Sequence, residues 1–115
     1  MPSRRIMTSD QYNGVSVITV EGDLVGPESA AVRSAFERRS PQSASGCIID
    51  FERCRFVSGE GLEALLAALR SCESRGAALK LAGLDANCRT VLQITRLDHR
   101  FECCPDVAAA LKLMA

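Results

Sequence analysis

Side chains able to do chemistry are few in this sequence, and they meet most closely in residues 55–71, RFVSGEGLEALLAALRS. There Ser58 offers a hydroxyl and Glu60 a carboxylate, set among Gly59 and Gly61 at the start of a leucine-rich run. A serine nucleophile needs a base to take its proton, and the single histidine, His99, sits far along the chain in LDHR. Ser58 precedes GEG instead of standing between glycines, so no GxSxG elbow is formed. A phosphate cradle fares no better. SGEG has neither the lysine nor the length of a P-loop, and Glu60 would repel the anion. No catalytic residue is assigned, no cofactor is implied, and the protein reads as non-enzymatic. The structural reading of the same residues is strong: Ser58 as an N-cap, Glu60 favoured by the helix dipole, and the glycines relieving crowding where a strand turns into a helix.

Cysteine is the other reactive type, with six in the chain. No CxxC occurs, and Cys54, Cys103 and Cys104 lack the histidine spacing of structural zinc, so no metal site is expected. Cys47, Cys72 and Cys88 fall among apolar neighbours in runs that read as strand or helix, which predicts reduced core thiols. Cys103 and Cys104, near the C-terminus, are expected to be exposed and inert.

The elements that place these residues follow from periodicity. VSVITV, 15–20, reads as a strand, with a short partner at 5–8 joined through QYNG, where Asn13 and Gly14 suit a hairpin turn. Pro27 opens a helix expected over 27–39, and SPQSASG closes it. CIIDF, 47–51, is apolar throughout, as a central strand buried on both faces would be. Leu62, Leu65, Leu66 and Leu69 predict a helix over 61–75 that Gly76 stops. ALKLAG is a strand, 87–97 a helix, RFECC a last short strand, and Pro105 opens a final helix running to Met114. Strands alternating with helices imply an α/β fold with a mixed, mainly parallel sheet of four to five strands and about four helices. The loops GDLVGP and FVSGEG are then expected side by side on one rim of the sheet.

At about 100° per residue the leucines of 61–75 gather on one side of the helix, and Glu60, Ala64, Ala67 and Ser71 fall on the other. Small residues on an outer face permit close approach by a second surface, so this stripe beside the rim is read as a docking face. The totals agree with a protein partner. The 115 residues suit one domain, 1–115, and 14 basic residues balance 14 acidic ones, which gives no field to attract nucleic acid. No run approaches the roughly 18 apolar residues of a membrane span and no signal-peptide pattern opens the chain, so a cytoplasmic location without membrane insertion is expected.

Four stretches carry a resemblance. VSVITVEGDL, CIIDFERCRFVSGEGLEALLAAL and the pair ALKLAGL and VLQITRLDHRF resemble the STAS family, the fold of bacterial anti-sigma factor antagonists and of cytoplasmic domains of sulfate transporters. The resemblance implies transcription regulation by protein–protein interaction, with an anti-sigma factor or kinase-like regulatory protein as the partner. A regulatory subunit of an ABC lipid-transport ATPase is the alternative it allows. In antagonists of this family a kinase phosphorylates the first serine of an Asp-Ser-Ser-Gly-Leu corner. On this chain the Asp falls on Ser58, the phosphorylated serine on Gly59 and the second serine on Glu60, with Gly61 and Leu62 kept. In the family's Gly-Glu-Leu-Asp loop, Gly22, Asp23 and Leu24 match, and the last Asp falls on Val25. Glycine has no hydroxyl, so only a displaced acceptor, Ser58, could take phosphate. The partner-binding residues expected are Asp23, Val25, Ser58, Gly59, Glu60, Ala64, Ala67 and Ser71.

Overall fold

The computed structural model describes residues 7–12, 14–27, 29–30, 33–34 and 46–114, with backbone only at 7–12. Five strands form one sheet: β1 Met7–Tyr12, β2 Val15–Val20, β3 Gly46–Asp50, β4 Ala78–Ala82 and β5 Glu102–Cys104, side by side in that order. β1 pairs antiparallel with β2, from Tyr12 opposite Val15 to Met7 opposite Val20, and every later pairing is parallel. Gly14, at φ 84°, takes the left-handed conformation that a two-residue hairpin turn requires. The expected strand at 5–8 therefore runs further, through Gln11 and Tyr12. Arg5 and Ile6 lie outside the described residues.

Three helices have complete bounds: α1 Gly59–Ser74, α2 Ala86–Ile94 and α3 Val107–Met114. Pro27, Ser29, Ala30, Arg33 and Ser34 are helical too, as the first-turn proline predicts; the rest of the helix expected over 27–39 and the loop at 40–45 fall outside the described residues. α2 stops three residues earlier than its periodicity suggests. Arg96 turns left-handed at φ 61°, and the amides of Leu97 and Asp98 both close on the Leu92 carbonyl. α3 starts two residues after Pro105 because Asp106 is its cap, accepting from the Ala109 amide at 2.8 Å.

All five residues of β3 are buried, as a strand in the middle of the sheet and covered on both faces must be. On one face Ile18, Val20, Cys47, Ile49, Leu79 and Leu81 pack against Leu62, Leu65, Ala68, Leu69 and Cys72 of α1 and Cys88 and Leu92 of α2. On the other face a smaller cluster of Val15, Val17, Ile48, Ala82 and Cys104 is closed by Ala110 and its neighbours on α3. Cys104 is thus a core residue and not the exposed thiol its position near the C-terminus suggested; Cys103, one residue back on the same strand, faces outward. The parallel strands advance in one direction from β2 to β5, so the sheet has no point where strand order reverses and opens a crevice. Its C-terminal rim is a surface built of loops.

Candidate functional site

The rim is held by backbone first. Leu24, in the loop after β2, forms a parallel bridge with Val57: its amide donates to the Phe56 carbonyl at 2.9 Å, and its carbonyl accepts from the Ser58 amide at 3.0 Å. The Asp23 carboxylate accepts from the Arg55 amide at 3.1 Å, and Arg53 pairs with Glu21 at 3.1 Å. The loops GDLVGP and FVSGEG therefore do lie side by side, joined like an extra rung beyond the ends of β2 and β3. Leu24 is fully buried and anchors its loop to the core.

Ser58 caps α1. Its Oγ accepts from the Gly61 amide at 3.2 Å and donates to the Leu24 carbonyl at 3.4 Å, so both hydrogen-bonding directions of the hydroxyl are in use. The two glycines that follow do different things. A Cβ on Gly61 would come within 2.5 Å of the Leu24 carbonyl oxygen and 2.8 Å of Val57, so glycine there lets the helix start pass against the neighbouring loop. A Cβ on Gly59 would meet nothing within 4 Å. Gly59 and Glu60 are exposed at the tip of the corner, with Val25 half-buried across from them. His99 is exposed beyond α2, near Asp98 at 3.9 Å, and Ser58 has no imidazole among its bonding partners.

The outer face of α1 is not where the leucines alone put it. Gly61, Ala64, Ala68 and Cys72 are buried along with Leu62, Leu65 and Leu69, while Leu66 is only half-buried. The true buried arc is rotated by roughly 70° from the leucine centre, at about 100° per residue, because its other flank is covered too, with Gly61 against the Leu24 loop and Ala64 beside Ala30. Ala64 is accordingly corrected: at 4% exposure it packs inward, beside Ala30 and Arg33 of the preceding helical segment, and is not on the docking face. Ala67 and Ser71 are half-buried at the edge of the open face, whose centre is Glu63, Arg70 and Ser74.

One residue on this surface escaped the sequence reading. Phe56 is 48% exposed although its neighbours Cys54 and Val57 are buried. An aromatic ring left in solvent two residues before the capping serine is unusual for a corner fixed by so many bonds. No local pattern marks it: Cys54 and Val57 are the buried positions and lie three apart, whereas a two-residue alternation from Cys54 would put Phe56 inward.

A second rim feature is an open cleft of about 530 Å³ over the ends of β3, β4 and β5, lined by Asp50, Glu52, Gly83 and Asp106 among others. Two of its carboxylates are already committed to the backbone: Asp50 accepts from the Glu52 amide at 3.0 Å and Asp106 caps α3. Among the described residues no three His, Cys, Asp or Glu side chains converge as metal ligands would.

Behind the rim, the core holds buried thiols. Burial pushes the Cys47 thiol up to about 12, with Cys72 adding to the rise, and burial also raises Cys72. Cys54, beneath the rim, goes the other way. The hydrogen bond from the Cys88 thiol lowers it, and the backbones of Leu24 and Phe56 assist, against the opposing cost of burial.

The family model of the STAS domain matches residues 7–110. The chain belongs to the STAS domain family. No curated protein is a significant match to this STAS chain. Among solved structures it is similar to an anti-sigma-factor antagonist (STAS) domain protein from Planctomyces limnophilus, with 21% identity, a TM-score of 0.85, and coverage of 95% of this chain and 97% of that one. An anti-sigma factor antagonist from Mycobacterium paratuberculosis matches at 23% identity and a TM-score of 0.82, over 94% of this chain and 92% of that one. A sulfate transporter family protein from Wolinella succinogenes matches at 18% identity and a TM-score of 0.81, over 90% and 86%. The STAS fold expected from the sequence is therefore the fold observed, with Gly59 and Glu60 exposed on its rim and Gly61 and Leu62 buried behind them.

Proposed function

We propose that this STAS domain is a non-enzymatic docking protein of the cytoplasm, binding an anti-sigma factor or related regulatory ATPase through its rim and the adjoining edge of α1. The observation that carries the reading is the corner itself. It is fixed by the Leu24–Val57 bridge, yet it presents Phe56, Gly59 and Glu60 to solvent, with Val25, Ala67 and Ser71 at the margin. A rigid surface with one exposed aromatic at its centre loses little entropy on binding and offers an anchor for a partner pocket.

The corner also explains why docking here is read without the phosphate switch. Gly59 has no hydroxyl, and the Ser58 hydroxyl is tied to both the Gly61 amide and the Leu24 carbonyl. Phosphate on Ser58 would break the cap and place about two negative charges beside Glu60. Incubation with the cognate kinase and ATP, followed by mass spectrometry of the corner peptide, tests this; phosphate on Ser58 would restore the switched reading.

The docking test is capture of an anti-sigma factor ATPase from the native cell, using Glu60→Lys and Ala67→Arg chains whose unfolding curves match the parent. Each substitution is expected to weaken capture at least tenfold, and unchanged capture by both removes this surface. The transport alternative is separated in the same experiment, since recovery of an ABC-type ATPase subunit in place of the anti-sigma ATPase would assign the domain to transporter regulation.

A further inference from the structure

Cys54 and Cys88 are two buried thiols that converge beneath the rim: the Cys88 Sγ donates to the Cys54 carbonyl at 3.6 Å, and the Cys54 Sγ donates to the Phe56 carbonyl at 3.3 Å. Both side chains are 1% exposed. They nevertheless belong to different kinds of segment: Cys88 is in the first turn of α2, while Cys54 is in the irregular stretch between β3 and α1 that carries Arg55, Phe56 and Ser58. Irregular segments open locally at lower cost than the strands and helices beside them. We propose that Cys54 and Cys88 are a disulfide-forming pair whose oxidation by a peroxide loosens the rim corner. The proposal does not depend on what docks there.

The two thiols are unequal in the way such chemistry needs. Cys54 is the more acidic, because the Cys88 thiol and the Leu24 and Phe56 backbones favour its thiolate; Cys88 is held well up, first by that same thiol contact and then by burial. Cys54, having released its proton, attacks one oxygen of hydrogen peroxide. An S–O bond forms, the O–O bond breaks, and the departing hydroxide takes up the released proton to leave as water. The Cys88 sulfur then attacks the Cys54 sulfenic acid, forming the S–S bond as the S–O bond breaks, and the hydroxide that leaves takes the Cys88 proton as a second water. Two electrons pass from the thiols to the peroxide.

The structural consequence follows from the bonds lost. Both thiol donors disappear, and the sulfurs must close to about 2.0 Å. The Phe56 carbonyl, which accepts from Cys54 and from the Leu24 amide, sits on the segment that moves. The rung Leu24–Phe56–Ser58 is therefore strained from one side.

The experiment treats the reduced full chain with stoichiometric hydrogen peroxide in a Cys103→Ser background, which removes the exposed thiol that would bridge two molecules. Peptide mapping is expected to recover a Cys54–Cys88 crosslink that dithiothreitol reverses. Amide hydrogen exchange at Leu24 and Ser58 should accelerate about tenfold in the oxidised chain and return on reduction. In Cys88→Ala the crosslink is lost and Cys54 is trapped as a sulfenic acid by dimedone. Both sulfurs still fully alkylable after peroxide overturns the pairing, and a crosslink with unchanged exchange at Leu24 and Ser58 overturns the coupling to the rim.

Discussion

Gly59 and Gly61 look interchangeable in SGEG, and the structure gives them opposite requirements. Gly61 is set against the Leu24 carbonyl with no room for a methyl group, while Gly59 faces open space. A Gly61→Ala chain is expected to lose about 1–3 kcal/mol, since the clash is with backbone and cannot be relieved by a rotamer change. Gly59→Ala should stay within about 0.5 kcal/mol of the parent. Urea unfolding of the two variants side by side checks the pair, and equal losses would mean that the corner relaxes more freely than its bonds indicate. The sequence already supported Ser58 as a cap, because serine before an acidic first turn has a local cause. It could not rank the glycines. Their difference depends on Leu24, a residue brought alongside only by the sheet.

Among the elements, the strands and helices were legible wherever a periodic signal was long, and their ends were set by residues whose role is tertiary or conformational. β3 was read as central from CIID alone, because a strand covered on both faces has no polar alternation. Leucine alone does not mark the buried face of α1, because Gly61, Ala64, Ala68 and Cys72 are buried as well while Leu66 is only half-buried. That packing has a pH signature. Cys47 of β3 is buried against the α1 side, with Cys72 contributing to its raised value. A thiol whose pKa is higher folded than unfolded contributes its full stability below the unfolded value, 9.0, and loses it as pH rises towards about 12. Above pH 9 the unfolded chain releases the Cys47 proton while the folded chain retains it. Unfolding free energy should therefore fall by up to about 1.4 kcal/mol per pH unit from this group. Denaturation curves between pH 8.5 and roughly 10.5 are expected to show a shallower decline in Cys47→Ala than in the parent. Parallel declines would assign the alkaline loss to other groups.

For the whole molecule, the described residues order β1 to β5 without reversal, put α1 and α2 on one face of the sheet and α3 on the other, and bring the loops at the strand ends together on one rim. The mainly parallel sheet with CIIDF central and a hairpin before it is legible from the alternation of strands and helices, as is the meeting of the rim loops; the full strand order and the Leu24–Val57 bridge that joins those loops are not. Three large apolar side chains are exposed among the described residues, and they divide by location: Phe56 stands on the rim, Ile94 ends α2 at 76% exposure, and Leu113, at 66%, lies on α3, against the opposite face of the sheet from α1. If docking belongs to the rim, burial of a single aromatic anchor outweighs greater exposure elsewhere, because only the buried contact contributes to binding. Capture of the partner ATPase by Phe56→Ala should weaken by at least about tenfold, the lower range for an interface anchor, while Leu113→Ala binds as the parent does. Dissociation rates measured on an immobilised partner give the comparison directly, since loss of a packed anchor appears mainly there. A result in which Leu113→Ala dissociates faster and Phe56→Ala does not would move the docking surface to α3 and leave the rim as a structural corner.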